Sequence, residues 1–454
     1  MKRRFYLDSH GCAKNQVDGE TLMLVLEESG WEASTDAETA DLVIINSCGF
    51  IESAKRESIE AVLSYKQLFP GKRVLLAGCL AQRYSDELAA ELREADALFG
   101  NMDLSRIAEA AELAMGSAHT ALVPSLDPSG RTDFARCSDD RPLLSLPGSA
   151  YVKITEGCDN RCTFCAIPLI RGNLRSRSID SIVAECSGLL RRGVKELCLI
   201  GQDLGSYGKD GAAGAFETGL CRLPELLSAL SGLSGDFWIR LLYIHPDNFP
   251  MEILPLCQKD PRILPYFDLP FQHASQRILR LMNRRGDSET YLDLLATIRR
   301  ELPEATIRST FLVGFPGETE EDVETLLDFQ QKAQLDWLGV FTYSREEDTP
   351  AYSMKNRPSK KVAEARKRQI EAAQIPISEA RMDRFVGKTL PVLVEERVEN
   401  EDGLYLGRTV CQAPEVDGAT VLSADQDLVP GTYVSARVFS RAGFDLDAAC
   451  RTRS

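Results

Sequence analysis

The chain has 454 residues, with 53 Lys and Arg against 68 Asp and Glu, so its formal net charge is −15. Its composition, 44% hydrophobic and 27% charged, is typical of a soluble globular protein and excludes global disorder and a fibrous architecture. At ~100–200 residues per domain, the length predicts two to four domains. The acidity argues against a protein that mainly binds phosphate backbones and favours a basic protein partner.

The chain contains thirteen cysteines, whose possible roles are disulfide bonding, packing and metal binding. The basic N-terminus has no apolar segment behind it, and no run of about 18 apolar residues occurs, so we expect a cytosolic protein without a membrane segment. In that reducing compartment, a cysteine cluster is more often metal-binding or catalytic than disulfide-bonded. Thirteen is also odd, which excludes complete pairing within the chain.

Residues 1–116 alternate between short apolar runs and amphipathic segments. The runs FYLDS, DLVIIN, RVLLAG and ALFG predict strands, and helices are predicted at residues 18–29, 52–68 and 82–94. This alternation predicts an α/β domain, a doubly wound parallel sheet with helices on both faces. Residues 117–149 are rich in Pro, Gly and Ser, which predicts a linker.

Residues 150–377 repeat the alternation over a longer distance. Six strands are predicted, separated by helical segments, at YVKIT, ELCLIGQD, FWIRLLYI, YFDLPF, IRSTFLVGF and LGVFTYS. Six strand-helix units favour a central open, incomplete (β/α) barrel. A charged helix at residues 360–384, interrupted near Pro376, leads into the tail. The short alternating runs of that tail, residues 378–446, predict a small antiparallel β-barrel of the oligonucleotide-binding type.

The first strand of the central domain is followed by three cysteines in eight residues, Cys158, Cys162 and Cys165. A loop with this spacing can bring the three sulphurs to one metal centre. Zinc is an alternative, but a structural zinc site normally takes four protein ligands, and no fourth Cys or His lies nearby. Three ligands on a four-iron cluster leave one iron open to a small molecule.

The Cys-x3-Cys-x2-Cys spacing after a first barrel strand resembles the radical S-adenosylmethionine (SAM) superfamily. The resemblance implies that Cys158, Cys162 and Cys165 hold a 4Fe-4S cluster whose open iron binds SAM, which is then cleaved to a 5′-deoxyadenosyl radical. The predicted barrel agrees with this independently, because barrel active sites lie at the carboxyl ends of the strands.

A second set of cysteines emerges only from the predicted strands. Cys12 follows FYLDS, Cys48 follows DLVIIN, and Cys79 follows RVLLAG. Because the carboxyl ends of parallel strands line one edge of a sheet, we expect these three residues to meet there. Any one of them alone is better explained by packing, but three in equivalent positions predict a second cluster site. The other seven cysteines, such as Cys186, Cys198 and Cys411, are predicted to be packing residues.

A chain with both cysteine triads and a C-terminal β-barrel resembles the methylthiotransferases over nearly its full length. The match is carried by SHGCAKNQVDGE, NSCGFIESAKRESI, EGCDNRCTFCAIPLIRGNLRSR, LPFQHAS and FLVGFPGETEED, with Ala13 in place of a commoner proline. The resemblance implies an auxiliary 4Fe-4S cluster on Cys12, Cys48 and Cys79, and a second 4Fe-4S cluster and SAM in the barrel. It also implies that the tail is a TRAM domain that helps to bind substrate.

The segments 48–59 and 165–172 resemble the RimO-type branch, which modifies an aspartate on a small-subunit ribosomal protein called S-twelve, rather than the branch that modifies transfer RNA. Charge favours the same branch, since residues 378–454 carry nine Lys and Arg against thirteen Asp and Glu, a net charge of −4. An acidic domain suits a basic ribosomal protein better than RNA. We therefore expect S-twelve as partner, an unidentified electron donor, no membrane, nucleic acid not as the main substrate, and a monomer. The alternatives are a transfer RNA adenosine methylthiotransferase and a non-catalytic iron-sulphur or zinc protein that binds nucleic acid.

Further polar residues lie near predicted strand ends. Family resemblance suggests contacts to SAM for four of them, and ordinary charge pairing explains them equally well: Gln202, Asp203, Arg240 and Arg308. Gly314 and Gly317 let backbone approach the adenine or simply form a turn. His245 and His273 are expected to be hydrogen-bonded residues rather than ligands. The sequence identifies no general acid or base.

Overall fold

The computed structural model describes residues 2–116, 119–124, 139–211 and 219–450. The chain divides into two compact units. The first unit comprises Met1–Leu144, Tyr151–Glu185 and Ser344–Tyr352, and the second comprises Ser145–Ala150, Cys186–Tyr343 and Ser353–Ser454. Within the described ranges, no helix is both long enough and apolar enough to cross a membrane.

The first unit contains a six-stranded parallel sheet in the order β2-β1-β3-β4-β5-β6. Its strands are β1 (Arg4–Ser9), β2 (Glu32–Ala33), β3 (Leu42–Ser47), β4 (Arg73–Gly78), β5 (Ala97–Phe99) and β6 (Thr120–Leu122). The four predicted strands are confirmed as β1, β3, β4 and β5. The two others are edge strands of two and three residues, too short to show a pattern, and β6 lies inside the segment predicted as a linker.

Helices cover both faces of this sheet, as predicted. They are α1 (Ala13–Glu28), α2 (Glu52–Leu68), α3 (Cys79–Arg83), α4 (Ser85–Glu91) and α5 (Ile107–Met115). Helices α1 and α5 pack on one face, and α2, α3 and α4 pack on the other. Strand β3 sends Leu42 and Ile44 to the first face and Val43 and Ile45 to the second, which is why it reads as an unbroken apolar run. The single helix predicted at residues 82–94 is wrong, because two short helices meet at Tyr84.

The central domain begins with β7 (Ser149–Lys153), followed by a short antiparallel pair, β8 (Thr155–Glu156) and β9 (Arg175–Ser176). The remaining strands are β10 (Glu196–Ile200), β11 (Trp238–Leu241), β12 (Ile263–Asp268), β13 (Thr306–Val313) and β14 (Trp337–Thr342). They form a six-stranded sheet in the order β14-β13-β12-β11-β10-β7, with parallel pairs from β10 to β14. This confirms the six predicted strands of an open barrel.

The helices that follow these strands are α6 (Ile167–Arg171), α7 (Ile179–Arg191), α8 (Leu223–Leu230), α9 (Leu254–Lys259), α10 (Gln276–Leu281), α11 (Ser288–Glu301), α12 (Glu320–Ala333) and α13 (Lys360–Asp383). The predicted interruption near Pro376 is wrong, because α13 continues through this residue. Proline removes one backbone N–H from the helix, but hydrogen bonds from Gln374 to Leu335 O and from Ser378 to Asp336 O anchor the helix on both sides of it.

The tail forms a closed five-stranded barrel in the order β15-β16-β17-β19-β18. Its strands are β15 (Thr389–Arg397), β16 (Leu404–Arg408), β17 (Thr420–Ala424), β18 (Tyr433–Ala442) and β19 (Asp445–Cys450). The predicted small β-barrel is confirmed, with two differences. Strand β19 lies beyond the four predicted runs, and it pairs with β17 in parallel, whereas the other neighbouring strands are antiparallel.

A buried charge cluster joins this barrel to the central strands within the second unit. The Glu196 carboxylate accepts hydrogen bonds from Arg240 Nε at 2.7 Å and from Arg408 Nη2 at 2.5 Å. Arg240 also donates to Val410 O at 3.0 Å. Burial alone would raise the pKa of Glu196, but the charges of Arg408 and Arg240 lower it to about 2. The carboxylate is therefore ionised at neutral pH.

Candidate functional site

Three strands of the first unit end at the same level. In the parallel ladders, Ser9 pairs with Asn46 and Ser47 pairs with Gly78. Cys12 caps the N-terminus of α1, Cys48 directly follows β3, and Cys79 is the first residue of α3. The structure thus places these three cysteines, which we call the N-terminal triad, at the carboxyl edge of the sheet, as expected from the strand pattern.

Glycines allow the loops of the N-terminal triad to pack closely. A Cβ atom on Gly11 would lie 2.8 Å from the Cβ and 3.1 Å from the Sγ of Cys48. A Cβ atom on Gly49 would lie 2.7 Å from the carbonyl oxygen of Cys79. Gly11 also has a φ of +98°, in the left-handed region that favours glycine. Larger residues at either position would push the cysteine loops apart.

The three thiols of the N-terminal triad differ in acidity. Burial and the neighbouring Cys79 raise the pKa of Cys48 to about 12, and burial raises the pKa of Cys79. Desolvation opposes ionisation of Cys12, but Lys14, Arg171 and backbone N–H groups outweigh it and lower its pKa. Three thiolates here would repel one another, and bound metal cations would relieve that repulsion.

The donor atoms of both triads are thiols. Among the residues that the structure describes, no three His, Cys, Asp or Glu side chains lie close enough to share one metal ion. Sets of three thiols without histidine or carboxylate ligands are donors that four-iron clusters use.

Residues 158–165 form the loop between β8 and α6 that carries the second set of cysteines, which we call the central triad. Gly157 enters this loop with a φ of +71°, and a Cβ atom there would lie 2.0 Å from Asn173 O. The N–H of Cys165 donates to the carbonyl oxygen of Cys162 at 3.1 Å, which closes a tight turn between two of the cysteines. The loop conformation thus depends on a glycine immediately before the first cysteine.

Arg171, the last residue of α6, reaches the N-terminal triad. Its Nη2 donates to Cys79 Sγ at 3.1 Å and to Asp18 at 2.8 Å, and its Nη1 donates to Glu156 at 2.8 Å. Lys153 Nζ forms an ion pair with Asp18 and another with Glu156, the latter at 2.7 Å. All four charged side chains are at most 7% exposed. This buried charge network therefore connects the helix that follows the central triad to a sulphur of the N-terminal triad.

Side-chain amides complete the polar surroundings of the N-terminal triad. Asn101 donates to Cys79 Sγ at 3.3 Å. Asn15 donates to His10 O at 2.7 Å and to Asn46 O at 3.0 Å, which ties α1 to the ends of β1 and β3. Sequence reasoning missed these amides and the charge network. Asn15 lies one helical turn after Cys12, on the same side of α1, and that spacing is the signal that identifies it.

Cys79 also packs against Ala166, which directly follows the central triad, and against Ile170. Both triads therefore lie in one compact unit. Of the other cysteines, Cys186, Cys198 and Cys411 are buried as predicted, and Cys257 is buried too. Cys221 and Cys450 are half-buried, and Cys137 lies outside the described residues.

Charge pairing accounts for most of the polar residues near strand ends that were candidates for SAM contacts. Besides the pairing of Arg240 with Glu196, Arg308 donates to Asp268 at 3.1 Å. Asp203 accepts hydrogen bonds from two backbone N–H groups, at 2.9 and 3.0 Å. Gln202 differs, because its Nε2 is buried and has no hydrogen-bond partner.

The remaining candidates have local structural roles. Gly314 has a φ of +75°, and its N–H donates to Glu318 at 2.9 Å, so it forms a turn. His245 Nδ1 accepts from the N–H of Asp247, and His273 Nδ1 accepts from two backbone N–H groups at 2.9 and 3.0 Å. Burial lowers the pKa of both histidines to about 3, so both are neutral. Both are hydrogen-bonded through Nδ1, whereas His273 Nε2 is buried without a hydrogen-bond partner.

Three family models match the chain. Residues 4–100 match "Uncharacterized protein family UPF0004", residues 152–329 match the radical SAM superfamily, and residues 386–450 match the TRAM domain. Among solved structures, radical SAM methyltransferase TsrM from Kitasatospora setae, with tryptophan substrate and a SAM analogue bound, superimposes with a TM-score of 0.55. It is 17% identical and covers 77% of this chain and 75% of its own, so it supports the fold alone.

Curated relatives match nearly the full length. Three that are named ribosomal protein uS12 methylthiotransferase RimO come from Treponema denticola, Acetivibrio thermocellus and Clostridioides difficile. The first is 47% identical, covering 97% of this chain and 99% of its own. The others are 40% identical, covering 98% and 97% of both chains respectively. With both triads in place and all three domain models matched, the chain belongs to the RimO family of radical SAM methylthiotransferases.

Proposed function

We propose that the protein methylthiolates the β-carbon of an aspartate in ribosomal protein uS12, the small-subunit protein S-twelve. The observation that carries this proposal is the near full-length similarity to proteins named for acting on uS12. Charge supports it, since residues 378–454 have a net charge of −4, which suits a basic protein better than RNA.

The reaction replaces an unactivated C–H bond by C–S–CH3. No side chain is basic enough to remove such a hydrogen as a proton at neutral pH, so the chemistry requires a cofactor. Cys158, Cys162 and Cys165 would hold a 4Fe-4S cluster that binds SAM. Cys12, Cys48 and Cys79 would hold a second, auxiliary 4Fe-4S cluster. When bound, the clusters and SAM supply the electron, the hydrogen-abstracting radical and the methylated sulphur.

The protein's own groups would then orient and stabilise these cofactors. Arg171 and Asn101 donate hydrogen bonds to Cys79 Sγ and so stabilise its thiolate form. Cys12, the most acidic thiol of its triad, caps α1, whose N-terminal dipole also favours negative charge. The electron would come from a separate donor protein.

The test is mass spectrometry of uS12 after anaerobic incubation with the reconstituted enzyme, SAM and a reductant. The wild type should add the methylthio group. Replacing the N-terminal triad by Ala should leave 5′-deoxyadenosine formation but stop the transfer, and replacing the central triad should stop both. Cys257→Ala, at a buried cysteine outside both triads, is the control and should retain both.

Two outcomes would contradict the proposal. Unimpaired transfer by the protein without its N-terminal triad would remove the role of Cys12, Cys48 and Cys79. Modification of transfer RNA in preference to uS12 would assign the enzyme to the other substrate branch, and its binding would then weaken with salt, as phosphate contacts do.

A further inference from the structure

The face of the first unit that is covered by α2, α3 and α4 carries a groove of about 950 Å³. Helices α2 and α4 line it, and the segment 345–352 borders it. Its floor includes Ile59 of α2, Leu80 of α3, and Leu88 and Leu92 of α4, and eight of its fourteen lining residues are charged. We call it the α2–α4 groove. Its size and its mixed apolar and charged lining suit a segment of a polypeptide.

The free charges around the α2–α4 groove are mostly negative. Glu60, Glu87, Glu91 and Glu347 line it and are exposed, and none has an ion-pair partner among the described residues. Arg56 and Arg345 are its exposed cations. Four exposed carboxylates against two exposed guanidinium groups give the groove a surplus of negative charge.

Two cations of the groove have partners. Lys55 Nζ lies 3.1 Å from both Glu52 and Glu346. The guanidinium of Arg345 lies 3.9 Å from the ring centroid of Tyr352. The ion pairs of Lys55 offset its charge, whereas stacking on Tyr352 leaves the charge of Arg345 in place, so the surplus of exposed carboxylates determines what the groove attracts.

The groove also lies close to the N-terminal triad. Leu80 of its floor directly follows Cys79, and α2 begins four residues after Cys48. Lys55 and Ile59 belong to the segment by which the sequence resembles the ribosomal-protein branch. A polypeptide in this groove would therefore be held beside the proposed auxiliary cluster, against residues that distinguish the branch.

We propose that the α2–α4 groove docks a basic segment of the substrate protein. This inference rests on the proposed function and adds the surface that recognises uS12. Apolar side chains of that segment would contact Ile59 and Tyr84, which are half-buried in the lining, and its Lys or Arg residues would face Glu87 and Glu91. RNA does not fit, because the same carboxylates repel phosphates. None of the residues that line the groove belongs to either triad, so docking here contributes to binding rather than to the chemical step.

The test compares two double charge reversals. Glu87→Lys/Glu91→Lys inverts the charge on α4. Glu27→Lys/Glu32→Lys makes the same change at exposed positions at the end of α1 and on β2, and α1 packs on the other face of the sheet. All four residues are exposed, so both variants should fold. The measurements are kcat and KM for uS12, 5′-deoxyadenosine formation without uS12, and binding of uS12 to iron-free protein.

At low ionic strength, the α4 variant should raise KM and the dissociation constant about tenfold, and kcat and SAM cleavage should not change. The control should change KM less than twofold. High salt should reduce the difference between the variants, because salt screens exposed charges.

Equal effects of both variants, or no effect of the α4 variant, would overturn the docking proposal while leaving the proposed function intact. Tighter binding of transfer RNA together with methylthiolation of that RNA would overturn both. The wild type could also fail to modify uS12 and still bind it in a way that depends on Glu87 and Glu91. That result would overturn the proposed function and retain the docking surface.

Discussion

The Glu196 cluster supports a quantitative prediction about stability. Glu196→Gln removes the charge that pairs with Arg240 and Arg408 but keeps the size of the side chain. The pKa of Glu196 is lowered from 4.5 to about 2. At about 1.4 kcal/mol per pKa unit, this corresponds to roughly 3 kcal/mol of stability. Removing one partner of a buried ion pair typically costs about 3–5 kcal/mol, which agrees.

The assay is urea unfolding of the iron-free, reduced protein at pH 7, followed by tryptophan fluorescence. Trp238 and Trp337 lie in the second unit with Glu196, and Trp31 lies in the first. A Trp31→Phe background therefore confines the signal to the second unit. Glu396→Gln, the same substitution at an exposed residue of β15, is the control and should change stability by no more than about 0.5 kcal/mol.

The pH dependence provides a second check of the same value. Because the folded pKa is lowered, the contribution of Glu196 is fully present above pH 4.5 and is lost as the pH falls towards 2. In Glu196→Gln this contribution should be absent over that window. A loss of less than about 1 kcal/mol at pH 7 would refute the reasoning, because it would mean that desolvation cancels the attraction of both arginines.

Further predictions concern both units. Arg171→Met should lower the unfolding free energy of the first unit by roughly 3–5 kcal/mol, because it leaves Asp18 and Glu156 buried with Lys153 as their one cation in this network. Urea unfolding followed by Trp31 fluorescence measures this loss of stability. Burial raises the pKa of Asp417 from 3.8 to about 6, so the folded protein favours the protonated carboxyl. The resulting contribution to the free energy of unfolding, up to about 3 kcal/mol, is present below pH 3.8 and is lost as the pH rises through 6. Asp417→Asn should remove that pH dependence in urea titrations at pH 4 and 7. Gly157→Ala should prevent iron binding by the central triad, because the new Cβ would lie 2.0 Å from Asn173 O. Gly30→Ala is the control, because Gly30 has a φ of +91° but no atom within 4 Å of the added Cβ. An iron assay should find the normal iron content in this control.

Much of the fold was predictable because apolar periodicity is a local property. The helix predicted at residues 52–68 is α2, with the same boundaries. Strand β3 is fully buried, β4 is buried after its first residue, and Cys48 and Cys79 follow them directly. Positions at strand ends could therefore be predicted, and with them the approach of three residues that are distant in sequence.

Long-range polar contacts could not be predicted in the same way. Lys153 pairs with Asp18 across 135 residues, and Arg171 pairs with Asp18 across 153. Neither charge belongs to a local pattern that identifies its partner, because ion pairs form wherever the fold brings opposite charges together. Pro376 shows the converse, since a strong local signal for a break is overcome by tertiary contacts of α13.

The position of acidic residues on α1 has a consequence for synthesis of the chain on the ribosome. Asp18 and Glu20 are buried, yet their partners Lys153, Arg171 and Arg141 lie more than a hundred residues later. When residues 1–116 have emerged, these carboxylates still lack the cations that they pair with in the folded chain. We therefore expect the sheet to reach its final packing only after the loop of the central triad has been translated, with both cysteine triads assembled together.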